Sequence, residues 1–260
     1  MDRDTLRQLV SAVTFVFTVT VNALANILPL NGLETGQISD SFRNLFAPAG
    51  YVFAIWGVIY LLLAAFTVYQ ALPAQRENPA LRRLGYWFAA SNVLNGLWIF
   101  AWHYQQFVLS IILMLGLLGS LIASYVRLEI GRKTYSALES WTIRAPFSTY
   151  LGWISVATIA NAAVVLIELG WNGFGIAPAT WTVVMLGIAM LLGAFVTITR
   201  RELAYSLVLI WAFAGIFQKQ MGITPLVATV AAIAAGVVLA ALIVRFVRLT
   251  APRGPAPAGA

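Results

Sequence analysis

The stretch "FAPAGYVFAIWGVIYLLLAAFTVYQ", Phe46 to Gln70, decides how this chain is read. It is apolar enough to cross a bilayer, whose hydrocarbon core takes about 20 such residues of helix. Yet Trp56 and Tyr60 stand four apart and so share one helix face. A span that meets only lipid has no use for tryptophan near its middle, because the indole N–H finds no acceptor in hydrocarbon. The aromatic face is therefore expected to look at another helix or into a cavity.

The rest of the chain carries the same signature. Of its 260 residues 61% are hydrophobic and 10% charged, too little polar surface for a soluble domain of this size. No cysteine is present, which excludes disulfides and thiolate metal sites. A single histidine, His103, leaves no histidine cluster for a metal. The net charge of +7 could suggest nucleic acid, but its distribution points to membrane-helix ends instead, and no nucleic-acid partner is expected.

Eight apolar stretches qualify as spans, at about 6–29, 49–72, 83–104, 107–128, 145–168, 177–199, 203–219 and 224–247. Threading the chain through them places 14 of the 16 basic residues on one side and only Arg43 and Lys219 on the other. Basic residues collect on the cytoplasmic side, so both termini are read as cytoplasmic, in a bacterial inner membrane. Arg3, Arg7, the following apolar run and "NALAN" at 22–26 also fit a secretory signal. The run continues past that point, and the reading keeps it as a first helix. The tail "APRGPAPAGA", 251–260, has a composition expected to stay disordered. In the last span Ala232, Gly236 and Ala240 form a small-residue stripe expected to pack closely on a neighbour.

Tryptophan also gathers at membrane interfaces, and Trp87, Trp102, Trp141, Trp171 and Trp181 can be read as such a belt. Trp56, Trp98, Trp153 and Trp211 lie deeper. Trp98 shares a face with Asn95 and Trp102, and Trp153 shares one with Tyr150, with Asn161 two turns on. Asn22, Asn26, Trp98, Trp102, His103 and Asn161 fall in the outer half of their spans, and Trp56 and Tyr60 enter it from the second. These groups converge beneath the loop 30–47. A lidded, aromatic-lined pocket for a planar, mostly apolar small molecule is the expectation. Against it stands an aromatic core whose amides merely bond between helices.

Three segments carry a family resemblance. In "PAGYVFAIWGVIY", Pro48, Tyr51, Phe53, Trp56 and Tyr60 resemble the second-helix pattern of the TspO/MBR family, with Ala49 in place of its second proline. "LNGLWIFAW" resembles the third-helix pattern through Asn95 and Trp98, with Trp102 and His103 at the aromatic positions. "YLGWISVATIAN" resembles the fifth-helix pattern through Tyr150, Trp153, Ala157 and Asn161. The family, the tryptophan-rich sensory proteins that include the mitochondrial translocator protein, implies a five-helix bundle over 1–172. It implies a porphyrin or haem-type ligand beneath the first loop, with no obligatory cofactor, and a homodimer. Two features depart from the pattern: the loop 30–47 holds no tryptophan, and three further helices follow over 173–250.

The fold expected is thus all-α and membrane-integral: eight transmembrane helices, a TspO-like five-helix bundle plus three. The ligand residues expected are Asn22, Asn26, Trp56, Tyr60, Asn95, Trp98, Trp102, His103, Tyr150, Trp153 and Asn161. No span carries a central carboxylate or lysine, which argues against a proton pump, a voltage sensor or a retinal Schiff base. No nucleophile motif, paired carboxylates or phosphate loop points to an enzyme, and His103 beside Tyr104 reads as a water-facing interface residue. A ligand-binding sensor is the function expected, with a transporter of a small neutral or hydrophobic solute as the alternative; tryptophan-mediated oxidation of a bound porphyrin is left open by the resemblance alone.

Overall fold

The computed structural model describes residues 2–28 and 30–250, so the 251–260 tail lies outside the described residues. The described chain is all-helical. Its long helices fall where the sequence places its apolar stretches: α1 (Arg3–Ile27), α2 (Ile55–Ala71), α3 (Trp87–His103), α4 (Phe107–Arg127), α5 (Ala145–Glu168), α6 (Pro178–Arg200), α7 (Leu203–Gln220) and α8 (Pro225–Thr250). Among the described residues, six helical stretches are long and apolar enough to cross a bilayer by themselves, which makes this an integral membrane protein. The exceptions are α3 and α7. With 17 residues, α3 rises about 26 Å, just short of a hydrocarbon core of about 30 Å. The other, α7, ends in Gln218, Lys219 and Gln220.

The packing follows from an inverted amphipathicity. In α1 the buried face is Arg7, Gln8, Ser11, Phe15, Thr18, Asn22 and Ala25, at helical spacing, while Leu9, Val13, Val16 and Ile27 are exposed. Lipid accepts the apolar face, so the polar residues must find partners inside. Gln8 and Gln70 do so by each donating a side-chain amide to the other's backbone carbonyl, at 2.7 and 3.1 Å. Helix α1 packs on α2 and α3, α3 on α4, α4 on α5, and α5 back on α2, so these five close a ring. Helix α7 packs on α5, and α6, α7 and α8 pack on one another.

The ring's two ends differ in charge. At one end Arg82 meets Asp4 at 2.6 Å, Arg83 meets Glu129 at 2.8 Å and Arg144 meets Glu202 at 2.8 Å. That gathering is the basic end. The opposite end carries the segment 30–54, the α5–α6 turn with its Trp171–Trp181 pair, and Lys219.

The small-residue stripe of the last helix faces outward. Ala232, Gly236 and Ala240 are exposed, and nothing lies within 4 Å of where a Cβ on Gly236 would stand. The stripe packed inside the chain is Val227, Ala231, Ala234 and Val238, all buried to 0% exposure. Neighbouring positions on a helix are about 100° apart, so a stripe one residue over looks in a different direction.

Candidate functional site

The segment between α1 and α2 is a built lid. Its short helix Thr35–Asp40 is closed by a capping box, in which Glu34 and Gln37 satisfy each other's backbone N–H. Three helices hold it from below and beside. From α3, Trp102 Nε1 donates to the Thr35 carbonyl at 3.2 Å. His103 Nδ1 lies 3.1 Å from the Leu30 carbonyl, and its Nε2 lies 2.9 Å from Thr35 Oγ1. A carbonyl only accepts, so Nδ1 donates to it, and Nε2 and the Thr35 hydroxyl share the second hydrogen bond. Toward α5, Asn44 Nδ2 donates to the Ala160 carbonyl at 3.0 Å. From α7, Lys219 pairs with Asp40 at 2.6 Å, and Gln220 Nε2 donates to the Leu45 carbonyl at 3.2 Å. The 3₁₀ turn Gly50–Ala54 that follows is also gripped by α7: Trp211 Nε1 donates to the Val52 carbonyl, and Ala49 N–H donates to the Gly215 carbonyl.

Below the lid, amides from three helices form a framework. Asn22 Nδ2 donates to Asn95 Oδ1 at 2.7 Å, and Asn95 Nδ2 donates to the Tyr150 hydroxyl at 2.9 Å. Trp98 Nε1 donates to Asn161 Oδ1 at 3.1 Å, while Asn161 Nδ2 donates to Ser110 Oγ at 2.9 Å. Each such bond between membrane helices contributes roughly 0.5–2 kcal/mol. Together they fix the relative rotation of α1, α3, α4 and α5.

A cavity of about 430 Å³ opens between this framework and the lid. Asn22 and Asn26 line it from α1, Trp56 and Tyr60 from α2, and Glu34, Gln37 and Asp40 from the lid. A second space of about 40 Å³ lies beside it, enclosed by Trp98, Trp102, Trp153 and Asn161. Trp56 lines both, with Thr35 and Phe53, and helps form the wall between them. Its ring stacks on Tyr60 at 5.4 Å and meets Tyr150 and Trp153 edge-on at 5.9 and 6.2 Å. Its face therefore looks inward. Two buried donors here have no partner among the described residues: the Tyr60 hydroxyl and Trp153 Nε1. Buried orphans of this kind cost about 1–3 kcal/mol each unless something fills the site.

The residues expected at the site thus divide. Asn22, Asn26, Trp56 and Tyr60 line the larger cavity, and Trp98, Trp102, Trp153 and Asn161 the smaller. Asn95, Tyr150 and His103 line neither and stand behind, in the hydrogen-bond framework. His103 is not the water-facing residue its helix-end position suggests, since it is 0% exposed. Trp102 is not a belt residue, being buried with its N–H bonded. Trp87 and Trp141 do remain exposed, as a belt requires.

The sequence reading missed what α7 contributes. Lys219 and Gln220 read as a span end, and nothing local ties them to Asp40 and Leu45, 179 and 175 residues away. It also missed Glu202. This carboxylate lies in the α6–α7 turn, outside any span, yet is 1% exposed. Arg144 Nε and Ser148 Oγ donate to its two oxygens. Burial pushes its pKa above the usual carboxylate range, while the Ser148 hydroxyl and Arg144 oppose that shift. Among the described residues no group of three or more acidic or histidine side chains could hold a metal ion.

An all-helical bundle with apolar spans, a polar interior and a lidded cavity defines the class: a polytopic membrane protein. Within that class the family is settled by residues 8–244, which match the family described as TSPO-like protein, and the chain belongs to it. The match runs through α6, α7 and most of α8. Membership sets the chain among membrane proteins of the sensory and ligand-binding kind. No curated protein and no solved structure matches the chain.

Proposed function

We propose that this protein binds a planar, largely apolar ligand in the cavity beneath residues 30–47, and that sensing of that ligand is its function. The observation that carries the reading is a pair of orphaned donors, Tyr60 OH at the space of about 430 Å³ and Trp153 Nε1 at the adjoining one of about 40 Å³. Ligand sites typically measure about 300–1,000 Å³ and combine apolar walls with a few convergent polar groups. A tetrapyrrole fits by size class and by family resemblance. The rim adds a condition of charge: Glu34 and Asp40 line it, and among the described residues only Asp40 has a cationic partner, Lys219. Uncharged polar groups suit that rim better than free carboxylates. The chain is read with all eight long helices crossing the membrane and the basic end in the cytoplasm, which sets the lid on the outer face.

The test is a titration of the purified protein with protoporphyrin IX and with its dimethyl ester, followed by tryptophan fluorescence and the Soret band. Saturable binding is expected, tighter for the ester. Tyr60→Phe removes an unpartnered donor and keeps the ring, so the empty protein should melt no lower than wild type; Trp153→Phe removes the other donor but also shrinks a side chain that is 2% exposed, so its melting temperature should fall. Each should weaken binding by about five- to tenfold, the value of one hydrogen bond. Signals that never saturate, or that ignore both substitutions, would defeat the proposal and turn attention to solute flux across liposomes.

A further inference from the structure

A further cavity, of about 330 Å³, lies away from the lidded site, between α5 and α6 at the end opposite the basic loops. The two helices form one hairpin but separate instead of packing along their length: α5 packs on α4 and α7, and α6 on α8 and α7. Ala162 and Ala163 make one wall low, Met185 stands on the other, and Phe46 closes the back. Trp181 caps the hairpin end, fixed by its N–H donating to the Gly173 carbonyl at 3.0 Å and by its 5.3 Å ring contact with Trp171. The space is a slot with apolar sides and an aromatic cap.

Its charge identifies what fits. Arg43 lines the slot, is exposed, and has no acidic or hydrogen-bonding partner among the described residues. The other basic residue expected at this end, Lys219, is taken by Asp40. Asn172 adds a side-chain N–H₂ with no acceptor among the described residues, its oxygen being used by the Phe174 N–H. A lone guanidinium and a free amide above an apolar slot, at the level of a tryptophan pair, match an anionic headgroup at the interface over one acyl chain.

We propose that the α5–α6 slot is a binding site for an anionic phospholipid, with one acyl chain between the helices and the phosphate on Arg43. The slot shares Leu45 and Phe46 with the segment that continues the lid, so an occupied slot braces the lid's C-terminal end. The site stands on its own residues and does not depend on a ligand in the lidded cavity.

The experiment is native mass spectrometry of the full chain released from detergent, titrated with phosphatidylglycerol and, separately, with phosphatidylcholine of the same chains. Wild type is expected to retain one phosphatidylglycerol in preference to phosphatidylcholine. Arg43→Gln changes an exposed side chain and leaves the fold intact; it should weaken phosphatidylglycerol binding about fivefold, as one interfacial charge does, and phosphatidylcholine by less, because choline already offsets the charge of its phosphate. Ala163→Leu, which fills the slot without touching charge, should weaken both lipids. Equal retention of the two lipids by wild type, or phosphatidylglycerol binding indifferent to Arg43→Gln, overturns the proposal. So does binding that survives Ala163→Leu, since the lipid would then sit elsewhere on the belt.

Discussion

Replacing Gly215 with valine is expected to prise the lid from α7, weaken the proposed ligand binding and lower the melting temperature. Even the Cβ of such a side chain would stand 2.1 Å from Val52 Cγ2 and 3.2 Å from Pro48 Cβ. Val52 is 0% exposed and sits in the 3₁₀ turn at the entrance to α2, so it has nowhere to rotate. The backbone there is bonded to the same glycine, Ala49 N–H to its carbonyl at 3.2 Å. The helix and the turn must therefore separate. That breaks the Trp211 bond to the Val52 carbonyl and shifts Phe53 and Trp56, which line the lidded cavity. Overpacking a tight site costs about 1–3 kcal/mol for small additions, and a β-branched side chain in backbone contact exceeds that. Hydrogen exchange over 46–56 should rise, and affinity should fall by more than about tenfold, the factor that 1.4 kcal/mol represents. Gly236→Ala is the control. Nothing lies within 4 Å of its Cβ position, and an exposed helical glycine gains up to about 1 kcal/mol on becoming alanine. If both variants behave alike, the close approach of α7 is not what holds the lid.

The second large effect is at the basic end. Arg144→Met should destabilise the protein strongly, because it leaves the Glu202 carboxylate buried with only the Ser148 hydroxyl donating to it. Removing one partner of a buried ion pair typically costs about 3–5 kcal/mol. The loss should depend on pH, with a definite sign. Burial already raises the Glu202 pKa above its usual 4.5, and Arg144 pulls the other way. Without the guanidinium the folded-state pKa moves further up. A group raised on folding contributes its stability in full below its unfolded pKa and loses it as pH climbs through the folded one. The deficit of Arg144→Met should accordingly be largest at pH 8 and shrink toward pH 5. Adding Glu202→Gln to it should remove both the deficit's pH dependence and most of its size. Melting curves of the three proteins across that range decide the matter; a deficit that is flat with pH, or a double variant no better than the single, would show that the carboxylate is not its source.

How far the chain could be read in advance follows from the range of the interactions involved. Helix existence and bounds are local properties, set by runs of apolar residues broken by Pro, Gly and charge. The sequence expectation of 145–168 for the fifth helix and the observed Ala145–Glu168 coincide for that reason. The inward turn of Trp56 was legible too, since an indole in hydrocarbon requires an acceptor or an aromatic partner, and here it has Tyr60, Tyr150 and Trp153. Side-chain roles were less so. Asn95 and Asn26 look alike as intramembrane amides, yet Asn95 is spent on Asn22 and Tyr150 while Asn26 lines the cavity.

By itself, then, the sequence determined that this protein is helical and membrane-embedded, which end of its helices gathers the basic residues, and that Trp56 turns inward. All of these depend on periodicity and on the cost of polar groups in lipid, which act within a few residues. Only the tertiary structure decided that α7 grips the lid, that Glu202 is buried beside Arg144, and that α5 and α6 part to form a slot. Those outcomes depend on which helix faces meet across separations of 58 to 179 residues, as with Arg144–Glu202 and Asp40–Lys219. A pattern that only tells inside from outside does not name the partner on the inside.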